Sequence, residues 1–196
     1  MKLYLVRHAI AEEAGMPGYE DDSLRPLTEK GREKMGRIAG VLKELGVKPN
    51  LIVSSPYVRA SQTASILAKE LKYNEEVAVS DFLLPMGEPD DMIGEINEKY
   101  SVDELMLVGH EPNLSSLTSV LLAGDTDLAI NFKKGGVCCL SVDNLHYDRK
   151  AVLEWLATPK ILTRQSRAYA KRKRNLQSRT LHQPRVESAG ISKPRS

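Results

Sequence analysis

The chain of 196 residues has only two cysteines, Cys138 and Cys139, and they are neighbours. Adjacent cysteines give neither a disulfide framework nor the spaced ligands of a structural zinc site. No apolar run approaches the roughly 20 residues that cross a bilayer. Residues 1–4 lead into a strand pattern rather than a signal sequence. These absences predict a soluble, unsecreted protein of a reducing compartment, the cytoplasm.

Metal-binding patterns are also missing. There is no His-x-x-x-His pair and no carboxylate-rich cluster, and His146 and His182 have no partner at ligand spacing. A zinc hydrolase is therefore disfavoured, and the sequence predicts no metal and no other cofactor.

Acidic residues are scarce near the C-terminus. Residues 160–196 contain 11 Lys and Arg but one acid, Glu187, whereas residues 1–159 contain 17 Lys and Arg and 25 Asp and Glu. This asymmetry predicts a folded domain over 1–159 and a basic tail over 160–196, with nucleic acid or another polyanion as a possible partner of the tail. Leu162, Tyr169 and Leu176 recur every seven residues. The tail is therefore expected to be either disordered or conditionally helical.

Short apolar runs alternate with helical patterns through the first 159 residues. Strands are predicted at residues 3–6, 51–53, 77–79, 105–108, 137–142 and 152–156, the last two joined by a polar turn at 143–144. Helices are predicted from an N-cap at Thr28 to Gly46, from an N-cap at Ser55 with Pro56 in first position, around 92–96, and from Asn113 to near Gly124.

This alternation predicts an α/β fold in three layers, a largely parallel central sheet with helices on both faces, followed by the basic tail. The order of the strands does not follow from the pattern. No internal repeat with a period of 20 to 50 residues is present, which disfavours a solenoid.

Reactive side chains follow three of the predicted strands. Arg7 and His8 follow the first, Arg59 lies in the helix after the second, and His110 follows the strand at 105–108. Ligands of open α/β sheets bind at the carboxyl ends of the strands, so these side chains converge if the three strands are neighbours. Guanidinium groups and helix N-termini bind phosphoryl oxygens. The sequence therefore predicts a phosphate site.

A neutral imidazole can attack phosphorus and form a phosphohistidine that water then cleaves. We assign this role to His8, because the positive charges of Arg7 and Arg59 lower the pKa of a neighbouring imidazole and keep its lone pair free. The same arginines, with His110 as a further donor, would offset charge on the transferred group.

Three segments resemble the histidine phosphatase superfamily, the phosphoglycerate mutase-like enzymes. They are residues 5–9 (LVRHA), 54–64 (SSPYVRASQTA) and 108–112 (VGHEP). The compact length and residues 24–28 (LRPLT) are most similar to the SixA-type phosphohistidine phosphatases.

The resemblance implies a phosphoglycerate mutase-like fold and a phosphatase that hydrolyses phosphohistidine on a protein through a covalent phospho-His8 intermediate. It implies that Arg7, Arg59 and His110 complete the phosphate pocket, with Arg25 as an additional phosphate or substrate contact.

Two features depart from the family pattern. Ala9 stands where many members have glycine, and the usual acidic proton donor is not obvious. Asp81 and Glu88 lie in the region where that acid is expected, and Glu88 is our preferred candidate. A departing imidazole needs less protonation than an alkoxide, which favours phosphohistidine as substrate. The alternatives are a small-molecule phosphomonoesterase of the same superfamily and a polyanion-binding protein that acts through its tail.

Overall fold

The computed structural model describes residues 1–143 and 151–164. Within these residues the strands are Lys2–Arg7 (β1), Leu51–Ser54 (β2), Ala78–Val79 (β3), Glu104–Gly109 (β4), Val137–Val142 (β5) and Ala151–Ala157 (β6). The α-helices are Glu29–Glu44 (α1), Val58–Leu71 (α2), Pro89–Lys99 (α3) and Asn113–Ala123 (α4), and short 3-10 helices lie at Asp22–Leu24 and Asp81–Leu83. Residues 159–164 are also helical. Each predicted strand is present within one residue of its expected bounds.

The strands form one mixed sheet in the order β3-β2-β4-β1-β5-β6. The first four strands of this order are mutually parallel, and β5 and β6 pair antiparallel at one side. Because β4 lies between β1 and β2, the carboxyl ends of these three strands are adjacent. The neighbour relation on which the predicted phosphate site depends is therefore confirmed.

Apolar side chains of β1 alternate between two cores. Tyr4 and Val6 pack with the buried residues of α1 and α2, whereas Leu3 and Leu5 pack with those of α3 and α4. Successive side chains of a strand point to opposite faces, so a strand that is apolar throughout needs cover on both. The predicted three-layer architecture is confirmed.

The start of helix α1 packs closely against the backbone of the segment that follows His8. Thr28 caps the helix, its hydroxyl accepting the Gly31 amide at 2.9 Å. A Cβ at Gly31 would lie 2.1 Å from the carbonyl oxygen of Ile10, so this position needs glycine. At the other end, Gly46 has a φ of 81°, the left-handed conformation that ends many helices.

The predicted start of the second helix is wrong by two residues. Helix α2 begins at Val58, and Tyr57 occupies the N-cap position without a side-chain hydrogen bond. The Ser55 hydroxyl is instead in hydrogen-bond contact with His110, at 2.9 Å. A local N-cap signal was overridden by a contact 55 residues away in sequence.

Only the first five residues of the predicted tail, 160–164, belong to the described part of the chain. They are helical, and Leu162 is buried in the core on the α1 and α2 face. Residues 165–196 and Asn144 of the predicted turn after β5 lie outside the described residues. Across 1–143 and 151–164, no helix combines the length and apolar character that crossing a bilayer requires.

Candidate active site

The ends of β1 and β4 bring two histidines together. The His8 amide donates to the Gly109 carbonyl at 3.0 Å, which continues the β1–β4 pairing beyond Arg7. The rings of His8 and His110 have centroids 5.0 Å apart, and the residues are 5% and 1% exposed. Two buried imidazoles therefore lie side by side at the predicted edge of the sheet.

The hydrogen bond of His8 defines its tautomer. Its Nδ1 lies 2.7 Å from the Ala9 carbonyl oxygen. Because a carbonyl oxygen only accepts, Nδ1 carries the proton and Nε2 keeps its lone pair. Burial is the main cause that lowers the pKa of His8 to about 3; the Ala9 hydrogen bond opposes this shift, and the charges of Arg59, Arg7 and Lys134 add to it. His8 is thus neutral at physiological pH and is suited to act as a nucleophile through Nε2.

The chain around Ala9 is held by Thr63 of α2. The Ala9 amide donates to the Thr63 hydroxyl at 3.0 Å, and that hydroxyl donates to the Arg59 carbonyl at 2.7 Å. Ala9 itself is buried, so alanine is accommodated where many family members have glycine. These bonds tie the segment after His8 to the first turn of α2, which carries Arg59.

In His110 the other ring nitrogen, Nε2, contacts the protein. Its Nε2 lies 2.9 Å from the Ser55 hydroxyl, which also accepts the Tyr57 amide at 3.3 Å. When the Ser55 hydroxyl donates to Nε2, the ring proton lies on Nδ1. Burial lowers the pKa of His110 to about 2, and the neighbouring His8, Arg59 and Arg7 contribute. Neutral His110 can therefore donate a hydrogen bond through Nδ1.

Two guanidinium groups complete the cluster. Arg7 donates from Nη1 to the Phe132 carbonyl at 2.6 Å. Arg59 is 3% exposed, donates to Asp22 through both terminal nitrogens, and lies 4.8 Å from the centre of the Tyr57 ring. Burial lowers the pKa of both arginines, yet an arginine stays charged in a protein.

Three buried N–H groups at this edge have no hydrogen-bond partner among the described residues. They are Nε of Arg7, Nε of Arg59 and Nδ1 of His110. A buried donor without a partner costs about 1 to 3 kcal/mol, so such atoms point to a ligand. A phosphoryl group has several acceptor oxygens and a negative charge, and it fits this donor set.

Arg25 is engaged by protein groups. Its Nε and Nη2 contact Oδ1 of Asp22 at 2.7 and 2.6 Å, and Nη1 donates to the Glu12 carbonyl at 2.6 Å. Asp22 therefore joins Arg25 to Arg59, whose Nη2 lies 2.9 Å from Oδ2. Although burial raises the pKa of Asp22, the hydrogen bond from Arg25 and the charge of Arg59 lower it overall. The sequence reading missed Asp22, and its spacing of three residues from Arg25 was the available signal.

The preferred acid, Glu88, is not brought into the cluster. It is exposed at the N-cap position of α3, and its carboxylate has no hydrogen-bond or ion-pair partner within the described residues. The Asn113 amide donates to the carbonyls of Phe82, Leu84 and Gly87, which holds this loop against the start of α4. Asp81, the other candidate, is exposed in a 3-10 helix.

Glu111 is a carboxyl that the sequence reading overlooked. It follows His110 directly, and burial raises its pKa while the charge of Arg7 opposes that shift. One oxygen accepts the Ser115 amide at 3.1 Å, and the other accepts the Ser115 hydroxyl. Both oxygens are thus used to hold the first turn of α4. In the described part of the chain, no three His, Cys, Asp or Glu side chains are grouped as metal ligands.

Comparison with known proteins supports the same assignment. Residues 3–83 match the family model of the histidine phosphatase superfamily (branch 1). An uncharacterized protein of Picosynechococcus sp. (strain ATCC 27264 / PCC 7002 / PR-6) is 34% identical over 139 residues, which are 70% of this chain and 82% of that protein. The chain belongs to the histidine phosphatase superfamily. It is therefore a hydrolase of the phosphatase type.

Solved members of this superfamily share the fold. A SixA protein histidine phosphatase complexed with tungstate has a TM-score of 0.68 and 24% identity, covering 82% of this chain and 98% of that one. An Agrobacterium tumefaciens protein assigned as a SixA phosphohistidine phosphatase has a TM-score of 0.66 and 27% identity, covering 81% and 97%. This histidine phosphatase is thus SixA-like in fold.

Another relative matches this chain over only a small part of its own length. The mitochondrial serine/threonine-protein phosphatase Pgam5 of Drosophila ananassae is 37% identical over 87 residues, which are 44% of this chain and 29% of that protein. The shared segment is too short to transfer the activity of the whole protein.

Proposed function

We propose that this histidine phosphatase hydrolyses phosphohistidine on a protein through a covalent phospho-His8 intermediate. The observation that carries the proposal is the free lone pair of His8 Nε2 within a cluster that also contains three buried N–H groups without protein partners. In this proposal Arg7, Arg59 and His110 bind the phosphoryl oxygens. His8 is the nucleophile.

The reaction has two displacements. The lone pair of His8 Nε2 attacks phosphorus and the P–N bond of the substrate breaks. The substrate ring carries a proton on its other nitrogen, so the electron pair leaves with a neutral imidazole. Water then attacks phosphorus, the bond to Nε2 breaks, and His8 recovers its lone pair. A proton of the water passes to a phosphate oxygen, and the products are inorganic phosphate and unmodified protein. Arginine and His110 donors stabilise the charge on the equatorial oxygens in both steps.

The nature of the leaving group favours phosphohistidine over an alkyl phosphate. An alkoxide must be protonated as it leaves, because its conjugate acid resembles water with a pKa near 15.7, whereas imidazolium titrates near 6.5. Glu88 is exposed, and the Glu111 oxygens are held by Ser115. An enzyme with no carboxyl group positioned to protonate the leaving group is better suited to substrates that release imidazole. The SixA-like fold supports the same substrate class.

The first experiment compares the purified protein with His8→Ala. Each is incubated with a phosphohistidine-bearing protein and with a panel of phosphomonoesters, and released phosphate is measured. We expect the wild type to dephosphorylate phosphohistidine and His8→Ala to be inactive. Equal rates for the two proteins on every substrate would remove the enzymatic proposal.

A second experiment separates phosphohistidine from the alternative, a small-molecule phosphomonoester. If Glu88 serves as an acid when an alkyl phosphate binds, Glu88→Gln slows that hydrolysis much more than hydrolysis of phosphohistidine. Arg25→Gln, assayed with the same substrates, tests whether Arg25 contributes to substrate binding in addition to its contact with Asp22. Equal losses on both substrates in Glu88→Gln would contradict the leaving-group argument.

The proposal includes a cytoplasmic location, which the two buried free thiols of Cys138 and Cys139 support. The basic tail is proposed as a separate segment that contacts a polyanion, such as nucleic acid. Binding of this kind weakens steeply with added salt, because counterions are released when it forms. A flat salt response in a nucleic-acid binding assay would remove the role of the tail.

A further inference from the structure

A cavity of about 610 Å³ lies beside Arg7, and five of its eight lining residues are cationic. Lys34, Lys133, Lys134 and Lys160 join Arg7 in its wall, and no Asp or Glu from the described residues does. None of these four lysines forms an ion pair with an acid of the described part. Cations collected in one cavity repel one another, so an anionic ligand would relieve an unfavourable arrangement.

The lysine pair is held in place by the backbone of the nucleophile strand. The Arg7 guanidinium donates to the Phe132 carbonyl, and the Gly135 amide donates to the carbonyls of Arg7 and His8, both at 3.0 Å. The Arg7 amide donates in turn to the Gly136 carbonyl at 3.2 Å. The loop that carries Lys133 and Lys134 is therefore bonded to β1 on both sides of the pair.

The other two lysines come from separate elements. Lys34 lies one turn after Gly31, where α1 packs closely on the Ile10 carbonyl. Lys160 lies in the helical segment 159–164, whose Leu162 is buried in the core. Ile10 and Pro159 add apolar surface to the cavity wall. Three distinct parts of the fold thus converge on the cavity, which distinguishes it from a solvated lysine run on one surface.

The cavity adjoins the active-site cluster through Arg7, and the charge of Lys134 in its wall acts on His8. Arg7 lines the cavity, and its neighbour His8 is the proposed nucleophile. A phosphoryl group brings about two negative charges, fewer than the positive charges of Arg7, Arg59 and the four lysines together. The surplus of positive charge is on the cavity side of Arg7, where further anionic groups of a bound substrate would lie.

We propose that this cavity, the lysine pocket, binds Asp and Glu side chains of the protein that carries the phosphohistidine. The enzyme would then select phosphohistidines that have acidic neighbours. This inference rests on the proposed function and defines the substrate class of the same site.

The test uses two phosphohistidine peptides of equal length, one with Asp and Glu around the phosphohistidine and one with Asn and Gln at the same positions. For the wild type we expect kcat/KM to be about tenfold higher for the acidic peptide at low salt, mostly through KM. The ratio should fall towards one in about 1 M salt, where the screening length is about 3 Å.

The decisive variant is Lys34→Gln/Lys133→Gln/Lys160→Gln. Lys134 is left unchanged because its charge acts on His8. We expect the triple variant to lose most of the tenfold preference for the acidic peptide. Lys43→Gln/Lys48→Gln/Lys69→Gln removes the same charge from exposed positions near the opposite edge of the sheet, and it should keep the preference.

Each outcome has a distinct meaning. If the wild type hydrolyses both peptides equally, or if the two triple variants have the same ratio, the lysine pocket does not select acidic neighbours, and the proposed function stands without it. If the wild type hydrolyses neither peptide, the phosphohistidine proposal fails and the inference fails with it. A ratio of one for the peptides together with a preference for small bisphosphates over monophosphates would assign the pocket to a second phosphate, against our proposal.

Discussion

The ends of β1 and β4 carry the same residue in the same kind of place, and the two histidines are nevertheless equipped for different tasks. His8 and His110 are both buried, their rings are 5.0 Å apart, and burial is the main reason that both have a lowered pKa. His8 meets a carbonyl oxygen through Nδ1, whereas His110 meets a hydroxyl through Nε2.

The difference shows how one hydrogen bond selects the function of an imidazole. A carbonyl can only accept, so it requires a proton on Nδ1 and leaves a lone pair on Nε2 of His8. A hydroxyl can donate, so it permits the proton of His110 to lie on the free Nδ1. One ring then presents an electron pair and the other presents a donor. Attack on phosphorus needs the first, and stabilisation of the transferred oxygens needs the second.

The largest effect is expected where the electron pair is removed. His8→Asn should lower kcat/KM by about 10⁴-fold or more, because no covalent intermediate can form. Brief incubation with labelled substrate followed by denaturation should trap labelled wild-type protein and no labelled variant. Trapping of label on His8→Asn would place the nucleophile elsewhere.

A smaller loss is expected at the second histidine. His110→Asn should lower kcat by about 10²- to 10³-fold, the range for loss of one hydrogen-bond donor to a developing charge. The labelled intermediate should still form, only more slowly, and rapid-quench measurement would detect it. If neither His8→Asn nor His110→Asn forms the labelled intermediate, the proposed roles of His8 as nucleophile and His110 as hydrogen-bond donor are contradicted.

The two histidines should also make the fold acid-sensitive. The pKa of His110 is about 2 in the folded protein and about 6.5 when unfolded. The unfolded state therefore binds the extra proton, and stability is lost as pH falls below about 6.5. In His110→Asn the fall in unfolding free energy between pH 6 and 5 should be smaller than in the wild type by up to about 1.4 kcal/mol per pH unit. Denaturant titrations at several pH values measure this, and parallel curves in that range would contradict the buried, neutral state of His110.

The smallest expected effect concerns the Ser55 hydroxyl, which contacts Nε2 of His110. Ser55→Ala should reduce kcat by about tenfold, since Nε2 loses its donor while both histidines remain. Ser55→Thr keeps a hydroxyl and should recover most of the activity. The matched control Ser61→Ala alters an exposed serine of α2 and should have no effect. If Ser55→Ala and Ser55→Thr are equally impaired, side-chain volume rather than the hydrogen bond is responsible.

Sequence reasoning succeeded where the signal is local or repeated along the chain. The apolar alternation of β1, the cap at Thr28 and the glycine after α1 each depend on nearby residues. The predicted helix start at Ser55 was wrong because a serine before a helix can either cap that helix or bond to a distant part of the fold. Its partner here, His110, is 55 positions away. The role of Arg25 at the phosphate stays a prediction, whereas its contact with Asp22 depends on the conformation of a 3-10 helix that periodicity does not reveal.

By itself, the sequence determined the layered α/β architecture, the superfamily, and the residues that follow each strand, because strand and helix periods and short motifs are written in consecutive positions. Only the tertiary structure decided that β4 lies between β1 and β2, which nitrogen of each histidine is free, and that lysines from three elements face one cavity. Those properties depend on which distant group each side chain meets, and pairing over long separations has no signature in a local pattern.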